Sequence, residues 1–462
     1  MTDTTFGTLS PADLGLFVDR YELTMLEGYL AADHAPQATF ALFFRDLPPD
    51  RGYVVAAGLA QAVEYLETLS FDADALASLE DLGYAPETLS YLESFSFSGD
   101  VRALPEGTVA FPEEPLLEVT APLPEAQLFE TLLLNQVGYQ SLIATKAARM
   151  RDAVDRHGDD QSLVDFGSRR AHGTDAGMKA ARAAAIGGFD ATSNVAAARA
   201  FDLPAVGTMA HSWVQSFPTE RAAFEAFVDA AGEDAVLLID TYDTVGGART
   251  ALAVAADLDV DVAGVRLDSG DLVALSKRVA GLADDAGVDF DVVVSSGMDE
   301  YAIERFLTAG GVATGFGPGT ALTTGGDVPS LDAVYKLVAV ERDGELAPSM
   351  KLSAGKVSHP GRKRVRRVRR DGGFERDVLA RRDEDAPGED LLVPVFEDGR
   401  RVSDPPSLQA LRARRREQVR ALPAGCRALR NPEEYEVTVS DGLRSVTESL
   451  RDDLIGQYVD GE

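Results

Sequence analysis

The chain has 462 residues and 45% hydrophobic content, enough to bury a large core and to form two or three domains. Its 76 acidic residues against 44 basic ones give a formal charge of −32, which disfavours nucleic acid and anionic membranes as partners and reads as adaptation to high salt, an ordinary acidic enzyme being the plainer alternative. One cysteine, Cys426, excludes an intramolecular disulfide and a cysteine-based zinc cluster; residues 1–15 lack a signal-peptide pattern and no apolar run reaches the roughly 20 residues of a membrane helix, so a cytoplasmic protein is expected.

The first elements, 38–46 and 99–120, alternate or cluster apolar residues between Gly and Pro, the pattern of strands in an N-terminal α+β domain over 1–123. From Pro124 to about Asp155 only Gly138 interrupts apolar residues at helical spacing, which predicts a long connecting helix within 124–158. Short apolar runs at 162–167, 189–193, 205–210, 235–240, 262–267, 290–295 and 312–317 then alternate with helical text. This βα repeat over 159–330 fits a parallel barrel or an open sheet; several strands end in polar clusters, which favours the barrel. Beyond it, 331–462 reads as a C-terminal β-rich layer that returns to the N-terminal domain, with strands at 332–341, 347–352 and 364–369, a solvated loop at 370–390, a helix near 406–420 and a strand near 434–440. The basic run Arg362 to Arg370 alternates with valine and so suits a strand better than a nucleic-acid patch.

Chemistry concentrates at the strand ends of the repeat, where parallel strands bring side chains to one mouth. Phe166 offers a stacking face and Arg169 a planar cationic fork, although the pair also fits a core aromatic beside a surface ion pair. The Thr-Ser-Asn run around Ser193 offers small polar donors or a helix cap. His211, one of five histidines, stands beside other polar strand ends. Asp240 and Asp268, with Asp243, Ser269 and Asp271 nearby, put carboxylates on two adjacent rims, where they could orient a histidine, hold ribose hydroxyls or take Mg²⁺, or else cap helices. Glycine-rich turns at Ser295-Ser296-Gly297 and Gly315-Phe316-Gly317-Pro318-Gly319-Thr320 can cradle phosphate with backbone N–H groups. The set fits an anionic aromatic ring together with a phosphorylated ribose.

These motifs, in this order, resemble the nicotinate phosphoribosyltransferases, a type II phosphoribosyltransferase family of NAD salvage. The likeness runs from Asp19-Arg20-Tyr21-Glu22-Leu23-Thr24-Met25 through Phe43-Phe44-Arg45, Glu130 to Asn135 and the barrel motifs to Lys351–Arg366. It implies an irregular parallel α/β barrel and a reaction of nicotinate with phosphoribosyl pyrophosphate (PRPP) that forms nicotinate mononucleotide, coupled to hydrolysis of ATP. Position by position, it implies nicotinate sandwiched between Phe166 and Tyr21, the latter from a second subunit of a homodimer. Arg169 and Arg266 would face the carboxylate or phosphates, and His211 would be phosphorylated by ATP with Asp240 or Asp268 in support. Mg²⁺ would accompany PRPP and ATP. Relatives that prefer the uncharged amide resemble one another in an aspartate where Ser193 stands; a carboxylate there would repel nicotinate, so serine favours the acid. Val18, Arg20 and Met298 depart from the family pattern.

Alternatives remain at this stage. A nicotinamide or quinolinate phosphoribosyltransferase is nearest, although a second carboxylate on the substrate calls for more basic side chains. A barrel aldolase wants a strand-end lysine, and none of the seven lysines lies on these strand ends. A non-catalytic scaffold has no use for His211, Arg169, Arg266 and Asp268 together.

Overall fold

A computed structural model of the chain describes residues 11–352 and 358–459. Residues 1–10, part of the N-terminal stretch scanned for a signal, and 353–357, within the Lys351–Arg366 stretch, lie outside the described residues. Among the described residues no helix is long and apolar enough to cross a membrane. Contacts divide the chain into two units, Met1–Leu142 with Ser330–Glu462, and Ile143–Pro329. The division falls inside the helix Glu130–His157. The single helix expected from Pro124 is two helices: Leu123–Gln127 ends in a tight turn, the Leu128 N–H reaching Glu125 O at 3.2 Å, before the long one starts.

The first unit is built on a seven-stranded sheet ordered Glu345–Pro348, Ala333–Arg342, Gln37–Phe44, Leu117–Pro122, Asp100–Ala103, Val393–Glu397, Arg400–Arg401. Its third strand is buried from Ala38 to Phe44, which is why the sequence there is nearly continuously apolar rather than alternating. Phe40 stacks on Tyr335 with ring centroids 4.8 Å apart.

A second, four-stranded sheet contains Lys363–Arg370 and Gly373–Arg381, so the stretch expected as a solvated loop at 370–390 holds a partly buried strand. The charges misled because two of them pair inside: Arg367 and Asp377, both fully buried, meet at 2.5 Å, and Arg367 also reaches Gln418 Oε1 and Val109 O. Lys363, 2% exposed, lies 3.6 Å from the equally buried Glu118. The basic run thus spends its central charges on internal acids. The final helix, Asp441–Tyr458, was not expected at all.

In the second unit six parallel strands stand in the order Ala191–Thr192, Ser162–Asp165, Gly315–Gly317, Asp291–Ser295, Gly264–Leu267, Val236–Leu238. Helices join them and five begin on side-chain caps, Asn194, Thr219, Asp243, Asp271 and Asp299. The seventh expected strand, 205–210, keeps only one parallel bridge, from Ala205 to Thr192. Pro204 lacks a backbone donor and Gly207 weakens a strand, so the ladder does not propagate and the circle of strands stays open between its first and last members. The result is an irregular parallel α/β barrel.

Glu22, on the helix Arg20–Ala31 of the first unit, is fully buried and its Oε1 accepts from Thr131 N and Oγ1. Burial raises its pKa from 4.5 to about 7, against the lowering effect of the Thr131 hydroxyl. A carboxyl that holds its proton more tightly when folded contributes stability that is intact below pH 4.5 and is lost as pH rises through about 7. Glu22→Gln, which removes the titration, should therefore gain on the parent by up to about 3 kcal/mol between about pH 5 and about pH 8. Urea midpoints at the two pH values check this, and a difference that stays constant with pH would rule Glu22 out as the titrating group.

Candidate active site

The carboxyl ends of the parallel strands open into a cleft of about 380 Å³ that Phe166, Arg169, Ser193, His211, Arg266 and Asp268 help to line, with the chain from Gly207 to Ala210 and Leu238. Six residues singled out from sequence are therefore together. They reach it from four segments: Phe166 and Arg169 follow the strand Ser162–Asp165, Ser193 follows Ala191–Thr192, His211 opens a short helix, and Arg266 and Asp268 stand at the end of the strand Gly264–Leu267 and just beyond it.

Arg266 is the most constrained of them. Its Nε donates to Ser295 Oγ at 2.9 Å, Nη1 to Thr208 Oγ1 at 3.0 Å and Met209 O at 3.4 Å, and Nη2 to Asp268 Oδ1 at 3.1 Å. The guanidinium carbon also lies 5.5 Å from the centroid of the Phe166 ring, within cation–π range. Ser295, 2% exposed, accepts from Arg266 and donates to Asp268 Oδ1, so one hydroxyl ties cation and carboxylate into a fixed pair. The sequence places Ser295 in a phosphate-cradling turn and Thr208 in the run before His211, but does not show that both hold Arg266. Ser295 opens the Ser-Ser-Gly turn, and that position was the available signal.

His211 begins a short helix, Nδ1 3.1 Å from Thr241 Oγ1 and Nε2 3.9 Å from Asp268 Oδ2. The latter separation exceeds a hydrogen bond, so the ring stands beside the carboxylate and is fixed through Thr241. Asp240 accepts the Asp268 N–H at 3.0 Å and the Ser269 hydroxyl at 2.6 Å on Oδ2; its Oδ1 is buried without a hydrogen-bond partner. The neighbouring carboxylates divide the two readings left open by the sequence: Asp243 and Asp271 cap helices, whereas Asp240 and Asp268 serve the strand ends.

Arg169 differs from Arg266 in being exposed and in making no ion pair or hydrogen bond among the described residues. Its charge is free for a ligand. Ser193 is exposed on the same rim, its N–H donating to Asp165 O at 2.9 Å.

The remaining sequence candidates stand elsewhere. Tyr21 is 46% exposed and belongs to the first unit, on the helix Arg20–Ala31. Ser296, at φ 70, and Gly297, at φ 63, form the left-handed turn after Ser295, and neither lines the cleft. Nor do Gly317, Gly319 and Thr320. Gly317 is buried in a strand, and a Cβ there would lie 2.4 Å from Phe166 Cδ2. The glycine is thus required by the ring that packs against it. Gly319 precedes the four-residue helix Thr320–Thr323.

Residues 16–138, 161–399 and 384–447 match, respectively, the N-terminal domain, the main family region and the C-terminal domain described for nicotinate phosphoribosyltransferase. A nicotinate phosphoribosyltransferase of Mycobacterium tuberculosis is 46% identical over 442 residues, which span 94% of each chain. One of Bacillus subtilis is 40% identical over 461 residues, 93% of each. The crystal structure of human nicotinic acid phosphoribosyltransferase superposes with a TM-score of 0.82 at 32% identity, over 94% of this chain and 99% of that one.

Gly317→Ala should destabilise the protein by about 1–3 kcal/mol, because the new methyl group must displace the Phe166 ring. Urea unfolding measures the loss. A change within about 0.5 kcal/mol would mean that the ring moves freely and is not fixed by this contact.

Proposed function

The chain belongs to the nicotinate phosphoribosyltransferase family, and on that premise we propose that it joins nicotinate to C1 of PRPP, forming nicotinate mononucleotide and releasing pyrophosphate. The observation that supports this reading is one cleft combining an aromatic face, Phe166, an uncommitted cation, Arg169, and a neutral hydroxyl, Ser193. Nicotinate is a flat ring with one carboxylate. Phe166 stacks on it and Arg169 takes the charge, while Arg266, whose donors are largely committed to protein acceptors, contributes a fixed positive field.

The ring nitrogen attacks C1 as the bond to pyrophosphate breaks, through an oxocarbenium-like transition state, and the electron pair leaves on the pyrophosphate oxygen. No protein nucleophile at carbon is required, so the residues act by alignment and preorganised charge. Among the described residues no group of three or more His, Cys, Asp or Glu side chains is arranged to hold a metal. Asp240 or Asp268 would hold the Mg²⁺ that accompanies PRPP and ATP. The unpartnered Oδ1 of Asp240 fits that use. The ion supplies neutralisation of the leaving pyrophosphate.

ATP coupling runs through His211. Phosphorylation of the imidazole places a dianion beside Asp268 and changes the charge of the cleft, which couples ATP hydrolysis to substrate affinity. A homodimer completes the site with Tyr21 of the second copy, in the cytoplasm and at a salt concentration that screens the acidic surface.

Incubating the purified chain with PRPP and Mg²⁺, with nicotinate or nicotinamide and with or without ATP, and identifying the nucleotide formed, tests the reading. His211→Ala should abolish stimulation by ATP and leave a slow ATP-independent reaction; continued stimulation at saturating substrates would remove His211 from the coupling. Ser193→Asp should shift preference from nicotinate toward nicotinamide by about tenfold or more, the scale of one repelled charge near a bound carboxylate. Competition between the two substrates measures it, and an unchanged ratio refutes the role of Ser193.

A further inference from the structure

Behind the cleft, the two loops that present Phe166, Arg169 and Ser193 are joined by a buried pair of side chains. Asp165, 1% exposed, ends the strand Ser162–Asp165, and Thr192, fully buried, ends Ala191–Thr192; the two residues are register partners in the parallel ladder. Asp165 uses both carboxylate oxygens. Oδ1 accepts the Gly167 N–H at 2.8 Å and Oδ2 accepts the Thr192 hydroxyl at 2.8 Å. Its backbone carbonyl accepts the Ser193 N–H at 2.9 Å.

Thr192 extends the joint further. Its Oγ1 accepts the Asn194 N–H at 3.1 Å, and its backbone exchanges bonds with Pro204 O and Val206 N on the irregular segment that leads to His211. Gly167 is close-packed, since a Cβ there would lie 2.8 Å from Thr323 Cβ and 3.0 Å from Asp165 Oδ1. The loop after Asp165 therefore has little room to shift while the pair holds. Neither side chain lines the cleft, so neither touches the substrate.

We propose that the Asp165–Thr192 hydrogen bond is the positioning joint that sets the distance between Phe166 with Arg169 on one loop and Ser193 on the other, and so tunes recognition of the pyridine carboxylate apart from recognition of PRPP. The inference rests on the assignment of that half of the cleft to nicotinate. A buried carboxylate suits this task because removing one of its donors leaves an unsatisfied charge, which makes the joint stiff against small displacements. Burial raises the pKa of Asp165 while its two donors lower it, so the donors are what favour the charged form. The two donors to the Asp165 carboxylate, the Gly167 N–H and the Thr192 hydroxyl, carry no charge of their own.

The test is steady-state kinetics of the full chain and of Thr192→Val, Thr192→Ser and Asp165→Asn, varying nicotinate and PRPP separately. Thr192→Val keeps the volume and loses the hydroxyl; it should raise KM for nicotinate about tenfold and lower the nicotinate-to-nicotinamide preference, with KM for PRPP within about twofold of the parent, the scale of one lost hydrogen bond to a charged group. Thr192→Ser keeps the hydroxyl and should restore the parent's values. Asp165→Asn should show the same split between substrates, and provides the reading if the valine variant does not fold. Both KM values rising together, or neither moving, overturns the joint. Failure of the unmodified chain to use nicotinate overturns the assignment of the cleft and the joint with it, whereas nicotinate turnover with an unmoved KM in the variants overturns the joint alone.

Discussion

The cleft depends on the way Arg266 is held. A guanidinium at a strand end would ordinarily sample several rotamers, but here its donors reach acceptors from three separate places in the barrel: Ser295 on one neighbouring strand, Thr208 and Met209 on the irregular segment, and Asp268 on its own. Those acceptors fix the cation against the Phe166 ring, and the ring in turn requires a glycine at 317. Aromatic platform, cation and carboxylate thus hold one another. A charged group with its hydrogen bonds already made pays little reorganisation when charge develops on a substrate, which is the condition for electrostatic catalysis.

The same economy of charge runs through the rest of the chain. With a net charge of −32 the protein repels itself, and basic residues are scarce. Several of them are nevertheless placed inside: Arg367 against Asp377 and Lys363 against Glu118 in the first unit, Lys146 against Glu300 in the second. Pairs of this kind stabilise little in net terms, because desolvation offsets attraction, but removing one partner is costly. They specify which strands and helices meet. The basic run, expected as a strand from its alternation with valine, is in this sense also a register device, Arg367 standing opposite Asp377.

The site shows where sequence reading succeeds. Phe166, Arg169, Ser193, His211, Arg266 and Asp268 were legible because each follows a short apolar run, and parallel strands gather such positions at one end without reference to anything distant. Asp240 and Asp271 looked alike in the sequence, each a carboxylate just beyond a strand. Only the folded chain separates them, since Asp271 meets the N–H of Ala274 at the start of its own helix and Asp240 meets the N–H of Asp268 on the next strand. The bonds that Ser295, Thr208, Thr241 and the Asp165–Thr192 pair make were not legible, for they reach residues far away in the chain.

By itself, the sequence determined the alternation of strands and helices, the caps, the buried third strand of the large sheet and six of the side chains that line the cleft, since all of these follow from local periodicity and local hydrogen bonding. The tertiary structure decided what local rules leave open. It left the barrel unclosed at 205–210, ran the strand Gly373–Arg381 through the 370–390 stretch by burying Asp377 beside Arg367, and chose which of several equivalent carboxylates and hydroxyls lock the site. Those outcomes depend on which groups meet across long separations in the chain, and the energy of such a meeting depends on the burial and partners that the fold provides.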